Sequence, residues 1–158
     1  SYCDTVRELR NHGQTNKFNI KKVGWNSRMD SIQAEVLLNK LPLLDKHNRR
    51  RREIALMYNQ GLEDIVTIPF QNKESMHVYH QYVIQNKNIH RIQRALANND
   101  IQSRTYYPVP LNEYKPYYTD QYFHNSQYAS KNGLAIPVHQ YLTNDEVKLI
   151  IKTIQESI

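Results

Sequence analysis

The chain has 158 residues, with 21 Lys and Arg against 15 Asp and Glu, which gives a formal charge of +6. This length fits one domain or two small ones, and the composition excludes collagen-like, low-complexity and strongly disordered chains. A single cysteine, Cys3, excludes an internal disulfide and any cysteine-rich zinc site. Tyrosine is unusually frequent, with 12 tyrosines against 3 phenylalanines and 1 tryptophan, and this favours half-exposed aromatic walls.

The first forty residues have the pattern of two helices separated by a polar stretch. Residues 3–11 predict a short amphipathic helix, and Gly13 is well placed for the left-handed residue that follows its last turn. Residues 14–28 are polar with scattered apolar side chains, which indicates a loop or an irregular strand. Asp30 and Gln33 then have the spacing of a capping box that opens a strong helix.

A second helix is predicted over residues 42–60, with Pro42 in its first turn and Gly61 at its end. It contains four consecutive arginines, Arg49–Arg52, which fan around the helix at about 100° per residue. The run predicts either a solvated helix whose aliphatic stems pack down, or a surface that binds phosphate groups. We expect its apolar residues to face a core: Leu43, Leu44, Ile54, Ala55, Met57 and Tyr58.

The pattern changes after this helix pair. Residues 77–84 and 101–107 are rich in β-branched and aromatic side chains and predict two strands. Between them, residues 88–99 repeat apolar positions at a spacing of three and four, which predicts a helix. Residues 133–137 are extended, and Thr143 opens a last helix. Together these elements predict an α/β (α+β) fold behind a helical linker.

Spacing alone predicts neither a catalytic centre nor a metal site. His77 and His80 would lie on opposite faces of a strand, and no cysteine or carboxylate cluster completes a ligand set. No apolar run approaches the about 18 residues of a membrane helix, and no signal peptide is visible. We therefore expect a cytoplasmic protein. The chain opens on a helical pattern without an initiator methionine, so we expect it to be a piece of a longer protein.

One segment carries a more specific signal. Gly24-Trp25-Asn26-Ser27-Arg28-Met29-Asp30-Ser31-Ile32-Gln33-Ala34, followed by a leucine-rich helix, resembles the DegT/DnrJ/EryC1/StrS family of sugar aminotransferases. Further segments resemble the family in the same order along the chain: residues 10–14, 51–59, 80–84, 105–111 and 134–146. The resemblance therefore covers essentially the whole chain.

The resemblance implies a homodimeric fold-type-I enzyme that uses pyridoxal phosphate (PLP). Such enzymes usually take the amino group from glutamate and place it on a keto group of a nucleotide-linked sugar. In the family, the Schiff-base lysine and the aspartate that pairs with the pyridine nitrogen precede the segment that residues 10–14 resemble. We therefore expect no catalytic residue in this chain, which alone would be inactive. It would comprise the end of the large domain (1–28), linker helices (29–61) and the small C-terminal domain (62–158).

The resemblance also implies four site residues. Asn26 matches the family asparagine that reaches the PLP phosphate of the other subunit, and its amide suits a phosphate oxygen. Arg28 has a planar guanidinium that suits a sugar carboxylate or phosphate, and a salt bridge to the linker helix is the alternative. Tyr106 and Tyr107 match residues that line the sugar-nucleotide site, although strand alternation would let only one of them face it. Asn112 stands where the family often has histidine.

Several alternatives stay open from the sequence. The motifs are most like those of members that act on UDP-linked N-acetyl sugars, and both 3-keto and 4-keto substrates fit. A dehydratase or a regulator of the same family is a second possibility. A nucleic-acid-binding module is a third, which the position of Arg49–Arg52 within the linker helix disfavours. No membrane partner is expected.

Overall fold

The computed structural model describes all residues from Ser1 to Ile158, and the chain divides into two compact units, Ser1–Leu44 and Asp45–Ile158. The first unit contains helix α1 (Tyr2–Leu9), strands β1 (Gln14–Asn16) and β2 (Asn19–Ile20), and helix α2 (Ser31–Lys40). A 3-10 turn at Leu41–Leu43 follows. The boundaries expected from the sequence, after residues 28 and 61, stay a prediction.

Local capping explains where the two helices of the first unit begin. The Ser1 hydroxyl accepts a hydrogen bond from the Asp4 backbone N–H at 3.4 Å, and the Asp4 carboxylate bonds back to Ser1. The Asp30 carboxylate accepts from the backbone N–H of Ile32 at 2.8 Å and caps α2. Gln33 makes no returning bond, so the predicted capping box is a single cap.

The first unit has no hydrophobic core of its own. Gly13 is the one buried residue between Ser1 and Leu44, and every large apolar side chain of α2 is exposed. Ile32, for example, is 77% exposed. The prediction that Leu43 and Leu44 face a core is wrong, because both side chains are close to half exposed. The apolar residues of α2 are spread around its axis, which is typical of a helix that is covered on several sides.

The second unit is an α/β arrangement built around a small antiparallel sheet. Its elements, in chain order, are α3 (Leu44–Leu62), β3 (Tyr82–Gln85), α4 (Ile89–Asn98), α5 (His124–Asn132), β4 (Gly133–Ile136) and α6 (Asn144–Glu156). β3 and β4 pair antiparallel, with Tyr82 opposite Ile136. Isolated antiparallel bridges continue the sheet on both sides, from Thr67 to Gln85 and from Arg104 to Ala135.

The core lies entirely within this second unit and joins α3, α4 and α6 to the sheet. Ile54, Ala55 and Tyr58 are fully buried, which confirms their predicted orientation. The two largest fully buried side chains are phenols with hydrogen-bond partners. The Tyr58 hydroxyl donates to the Pro137 carbonyl oxygen at 2.7 Å, and the Tyr82 hydroxyl donates to Asn59 Oδ1 at 2.6 Å. Each buried hydroxyl therefore keeps a hydrogen bond inside the core.

The predictions of strands at residues 77–84 and 101–107 are mostly wrong. β3 covers only the last part of residues 77–84, because Tyr79 adopts a positive φ of 46° and its N–H donates to His77 Nδ1 at 2.8 Å. This local turn interrupts the extended chain. Residues 101–107 contribute a single bridge at Arg104. The second predicted helix also ends later than expected, since α3 continues through Gly61 to Leu62.

Gly61 does not end the helix as predicted. It allows α3 to pack closely against α6. A Cβ at this position would lie 2.7 Å from the Cγ2 atom of Ile151 on α6. Its carbonyl oxygen accepts a hydrogen bond from Gln155 Nε2 at 2.9 Å. The residue therefore brings the last turn of α3 against α6. None of the helices combines the length and apolar character that crossing a membrane requires.

Candidate functional site

The first group of predicted site residues lies on a loop that is pinned to the end of α1. The Trp25 N–H donates to the Leu9 carbonyl at 2.8 Å, and the Trp25 carbonyl accepts from the His12 N–H at 2.9 Å. The Ser27 N–H donates to the Arg10 carbonyl at 2.9 Å. These bonds lie on both sides of Asn26. They fix the backbone from which its amide projects.

Two glycines allow this close approach. Gly13 has a φ of +74°, which confirms its predicted left-handed conformation, and a Cβ there would lie 1.7 Å from the Lys22 carbonyl oxygen. A Cβ on Gly24 would lie 2.2 Å from the Gly13 nitrogen and 2.6 Å from the Leu9 carbonyl oxygen. Neither position has room for a side chain. The placement of the Asn26 loop therefore depends on both glycines.

Replacing Gly24 by alanine should detach the Asn26 loop from α1. The new methyl group would collide with the same Leu9 carbonyl that accepts from Trp25, so we expect that hydrogen bond to break. Hydrogen exchange measures the effect, and we expect the Trp25 amide to exchange about ten-fold faster. Ser27→Ala is the control, because it keeps the backbone bonds. Unchanged exchange at Trp25 in the Gly24 variant would contradict this account of the loop.

Asn26 and Arg28 form one exposed group of hydrogen-bond donors. Arg28 Nε donates to Asn26 Oδ1 at 3.2 Å, and the Asn26 amide nitrogen and the two Nη atoms of Arg28 have no acceptor in the structure. The bond to Asn26 is the one that the Arg28 side chain makes in the structure.

The surrounding sequence is strongly cationic. Residues 9–29 contain no acidic residue and the following basic ones: Arg10, Lys17, Lys21, Lys22 and Arg28. Lys22 is the one with an acidic partner, since its Nζ lies 2.8 Å from Glu8 Oε2. A cationic loop with side-chain donors left for other partners has the chemistry that binds a phosphate or a carboxylate.

Tyr106 and Tyr107 lie in the second unit, on the segment that follows the Arg104 bridge. Their rings meet edge to face, with centroids 5.8 Å apart. Both are exposed, Tyr106 at 38% and Tyr107 at 72%. Since this segment is not a regular strand, alternation does not turn one of the rings into the core. The structure describes the two tyrosines and the Asn26 loop in separate units.

Asn112 holds its own loop together. Its backbone carbonyl accepts from the Thr119 N–H at 3.3 Å, and its side-chain amide donates to the Gln121 carbonyl at 3.5 Å. Three further tyrosines on this loop are exposed: Tyr114, Tyr117 and Tyr118. The loop thus presents hydroxylated aromatic rings to solvent.

Two members of the arginine run bond to acceptors elsewhere in the protein, which neither of the two sequence interpretations included. Arg51 donates from Nη1 to the Val138 carbonyl at 3.0 Å and from Nη2 to Gln140 Oε1 at 3.1 Å. Arg50 Nη2 donates to the Leu142 carbonyl at 2.7 Å and to Asn144 Oδ1 at 2.8 Å. Spacing within the helix gave no signal of these contacts, because the acceptors lie far away in sequence.

The groups with shifted pKa values are not among the predicted site residues. Burial raises the pKa of the Tyr58 and Tyr82 phenols well above the ordinary value. Hydrogen bonds from Thr143 lower the pKa of the Glu146 carboxyl, which caps α6, and the Ser1 hydroxyl does the same for Asp4. No group of three His, Cys, Asp or Glu side chains is arranged to hold a metal ion. These groups serve the fold.

Known proteins match this chain over nearly all of its length. The model of the DegT/DnrJ/EryC1/StrS aminotransferase family matches residues 2–155. The dTDP-3-amino-3,6-dideoxy-alpha-D-galactopyranose transaminase of Aneurinibacillus thermoaerophilus is 31% identical over 155 residues, 96% of this chain and 43% of the relative. The UDP-2-acetamido-2-deoxy-3-oxo-D-glucuronate aminotransferase of Pseudomonas aeruginosa is 29% identical over 148 residues, 92% of this chain and 41% of the relative.

A solved structure agrees with the sequence relatives. A DegT DnrJ EryC1 StrS aminotransferase from Brucella abortus matches with a TM-score of 0.90 and 30% identity, over 97% of this chain and 42% of that one. The chain thus spans less than half the length of the proteins it matches. The predicted α/β fold, that of the C-terminal part of these enzymes, is confirmed. This chain belongs to the DegT/DnrJ/EryC1/StrS aminotransferase family.

Proposed function

We propose that this chain is the C-terminal part of a PLP-dependent enzyme that transfers an amino group from glutamate to a nucleotide-linked keto sugar. The observation that carries the proposal is the family match over residues 2–155, which includes the cationic Asn26 loop. The names of both curated relatives put the amino or keto group on carbon 3 of a dTDP- or UDP-linked sugar. We therefore propose a 3-keto substrate, used in the cytoplasm for polysaccharide or surface-glycan synthesis.

The donor set of the Asn26 loop fits the phosphate of PLP. The Asn26 amide nitrogen is free to donate while its oxygen is occupied by Arg28, so the amide is held in one orientation. In the proposed homodimer, Asn26 would hold the cofactor phosphate of the partner subunit. When bound, PLP supplies an electron sink for the carbon that carries the transferred nitrogen.

We assign the remaining residues to the sugar nucleotide. Arg28 would bind a carboxylate or phosphate of the substrate, because its Nη atoms can donate in parallel to two oxygens. Tyr106 and Tyr107 would contact the sugar or the base with their exposed rings and hydroxyl groups. None of these groups is proposed to move a proton during the reaction.

We further propose that the lysine that binds PLP covalently lies outside these 158 residues. None of the lysines of this chain has a sequence context like that of the family lysine. More than half of the length of the relatives has no counterpart in the chain, which supports the same proposal. The chain alone would then be inactive.

The test of this function has two arms. In the first, the whole parent protein with PLP and glutamate is given UDP- or dTDP-linked 3-keto and 4-keto sugars, and mass spectrometry follows the aminated product. We expect product from a 3-keto sugar, and Asn26→Ala should weaken PLP binding by about ten-fold or more, since one bond to a charged group is lost. Ser27→Ala is the control. Failure to aminate any of these sugars would refute the proposed activity, and amination of 4-keto sugars alone would refute the 3-keto assignment.

In the second arm, the 158-residue chain is incubated with PLP and then with borohydride. Borohydride fixes any lysine-bound cofactor permanently, and peptide mass spectrometry locates it. We expect no lysine of this chain to carry stoichiometric cofactor. One fixed PLP per chain on a single lysine would contradict the assignment of that lysine to another part of the protein.

A further inference from the structure

The four-arginine run is the sequence feature that the proposed function leaves unused. Two of its members, Arg50 and Arg51, bond to the segment between β4 and α6, which we call the β4–α6 connection (residues 137–143). We propose that these two arginines are an intramolecular clamp that fixes the β4–α6 connection to α3, and that the run is not an anion-binding surface. The clamp is a conformational device within the second unit.

Backbone carbonyls of the connection receive their hydrogen bonds from side chains of α3. Tyr58 donates to the Pro137 carbonyl, Arg51 to Val138 and Arg50 to Leu142, at 2.7, 3.0 and 2.7 Å. Outside the regular ladder, such carbonyls need other donors when they are near a core. Here α3 supplies a donor at both ends of the connection.

The geometry of a helix explains which arginines take part. Arg51 and Tyr58 are seven residues apart and therefore share one face of α3, with the buried Ile54 between them. Arg50 is adjacent to this face and bonds at the far end of the connection, where α6 begins. Arg49 points elsewhere, is exposed, and makes no side-chain hydrogen bond. Arg52 is half-buried, and its Nη1 contacts Met76 Sδ at 2.6 Å. The run thus contains two clamp positions, one solvent position and one position that contacts Met76.

The clamp also has apolar anchors. Val138 and Leu142 are 7% and 8% exposed, so both ends of the connection are inserted into the core. Between these anchors, His139 and Tyr141 are exposed, and the Tyr141 ring lies 6.1 Å from the ring of His47 on α3. Polar bonds, buried anchors and ring contacts together hold the connection in one path. A guanidinium that already donates to two protein acceptors has fewer N–H groups for a phosphate.

The test compares three single variants of the 158-residue chain by hydrogen exchange. We expect Arg51→Ala and Arg50→Ala each to speed exchange of the amides in residues 138–144 by about ten-fold, since bonds from a charged donor are lost. Arg49→Ala is the matched control and should leave these amides unchanged. An equal effect of Arg49→Ala, or no effect of Arg50→Ala and Arg51→Ala, would overturn the clamp.

Two further measurements separate the clamp from an anion site. Arg51→Lys keeps the charge but lacks the planar fork that reaches both acceptors, so we expect it to exchange nearly as fast as Arg51→Ala. Titration with inorganic pyrophosphate should show no greater loss of binding for Arg51→Ala than for Arg49→Ala. Full restoration by lysine, or pyrophosphate binding that depends on Arg51 alone, would favour an anion site and refute the clamp.

Discussion

Replacing Leu96 by alanine is expected to lower the free energy of unfolding by about 2–5 kcal/mol. Leu96 lies on α4, is fully buried, and belongs to the single core that joins α4 and α6 to the sheet. The substitution removes buried methyl groups and leaves a cavity that the close-packed neighbours fill only in part. Urea unfolding followed by circular dichroism measures the change, as a lower midpoint.

Leu56→Ala is the matched control for this experiment. Leu56 lies on α3 and is 57% exposed, so the same chemical change there removes little buried surface. We expect Leu56→Ala to alter the free energy of unfolding by no more than about 0.5 kcal/mol. Similar losses in the two variants would mean that the core does not lie where the structure places it.

Raising the pH above about 10 is expected to destabilise the second unit steeply. Burial raises the pKa of Tyr58 and Tyr82 above that of a phenol in the unfolded chain. Below the pKa of the phenol in the unfolded chain, both the folded and the unfolded state hold the proton. The protein then keeps its full free energy of unfolding. Above that pKa the unfolded state releases the protons and the folded state keeps them, so stability falls as pH rises, by about 1.4 kcal/mol per pH unit for each phenol.

Thermal unfolding between pH 8 and 11 checks this pH dependence. Tyr58→Phe removes one of the two phenols whose pKa is raised by burial, so we expect a shallower fall of Tm with pH, starting from a lower Tm because the bond to Pro137 is lost. Tyr141→Phe is the control, since Tyr141 is 75% exposed. A slope for Tyr58→Phe equal to that of the unchanged protein would contradict the role of burial.

The helices could be predicted from the sequence because their signals are local. Asp30 and Thr143 cap α2 and α6 as predicted, and both caps use residues within three positions of the helix start. The strand at residues 77–84 could not be predicted correctly, since its composition is β-like but Tyr79 turns the chain. The composition of a segment does not show that a side chain such as His77 accepts a hydrogen bond from the backbone N–H of Tyr79 at that turn.

The candidate site could likewise be predicted from the sequence only in part. Contacts between residues that are distant along the chain could not be predicted. The family resemblance identified Asn26, Arg28, Tyr106 and Tyr107, and their roles stay predictions. The packing of Gly13 against Gly24 and Lys22, which positions the Asn26 loop, depends on contacts that no spacing rule encodes. Arg50 and Arg51 were visible only as a charged run. Their acceptors lie more than eighty residues further along the chain, so only the folded structure identifies them.

The uneven distribution of buried residues determines what a calorimeter would record for this chain. All the large buried side chains lie between Ile54 and Ile154, whereas Ser1–Leu44 buries only Gly13. The heat absorbed on melting and the rise in heat capacity both follow the apolar surface that unfolding exposes. The calorimetric melting curve of the chain therefore records the unfolding of Asp45–Ile158. The large apolar side chains of α2 are exposed in this chain, so here they influence colloidal solubility instead of the melting temperature.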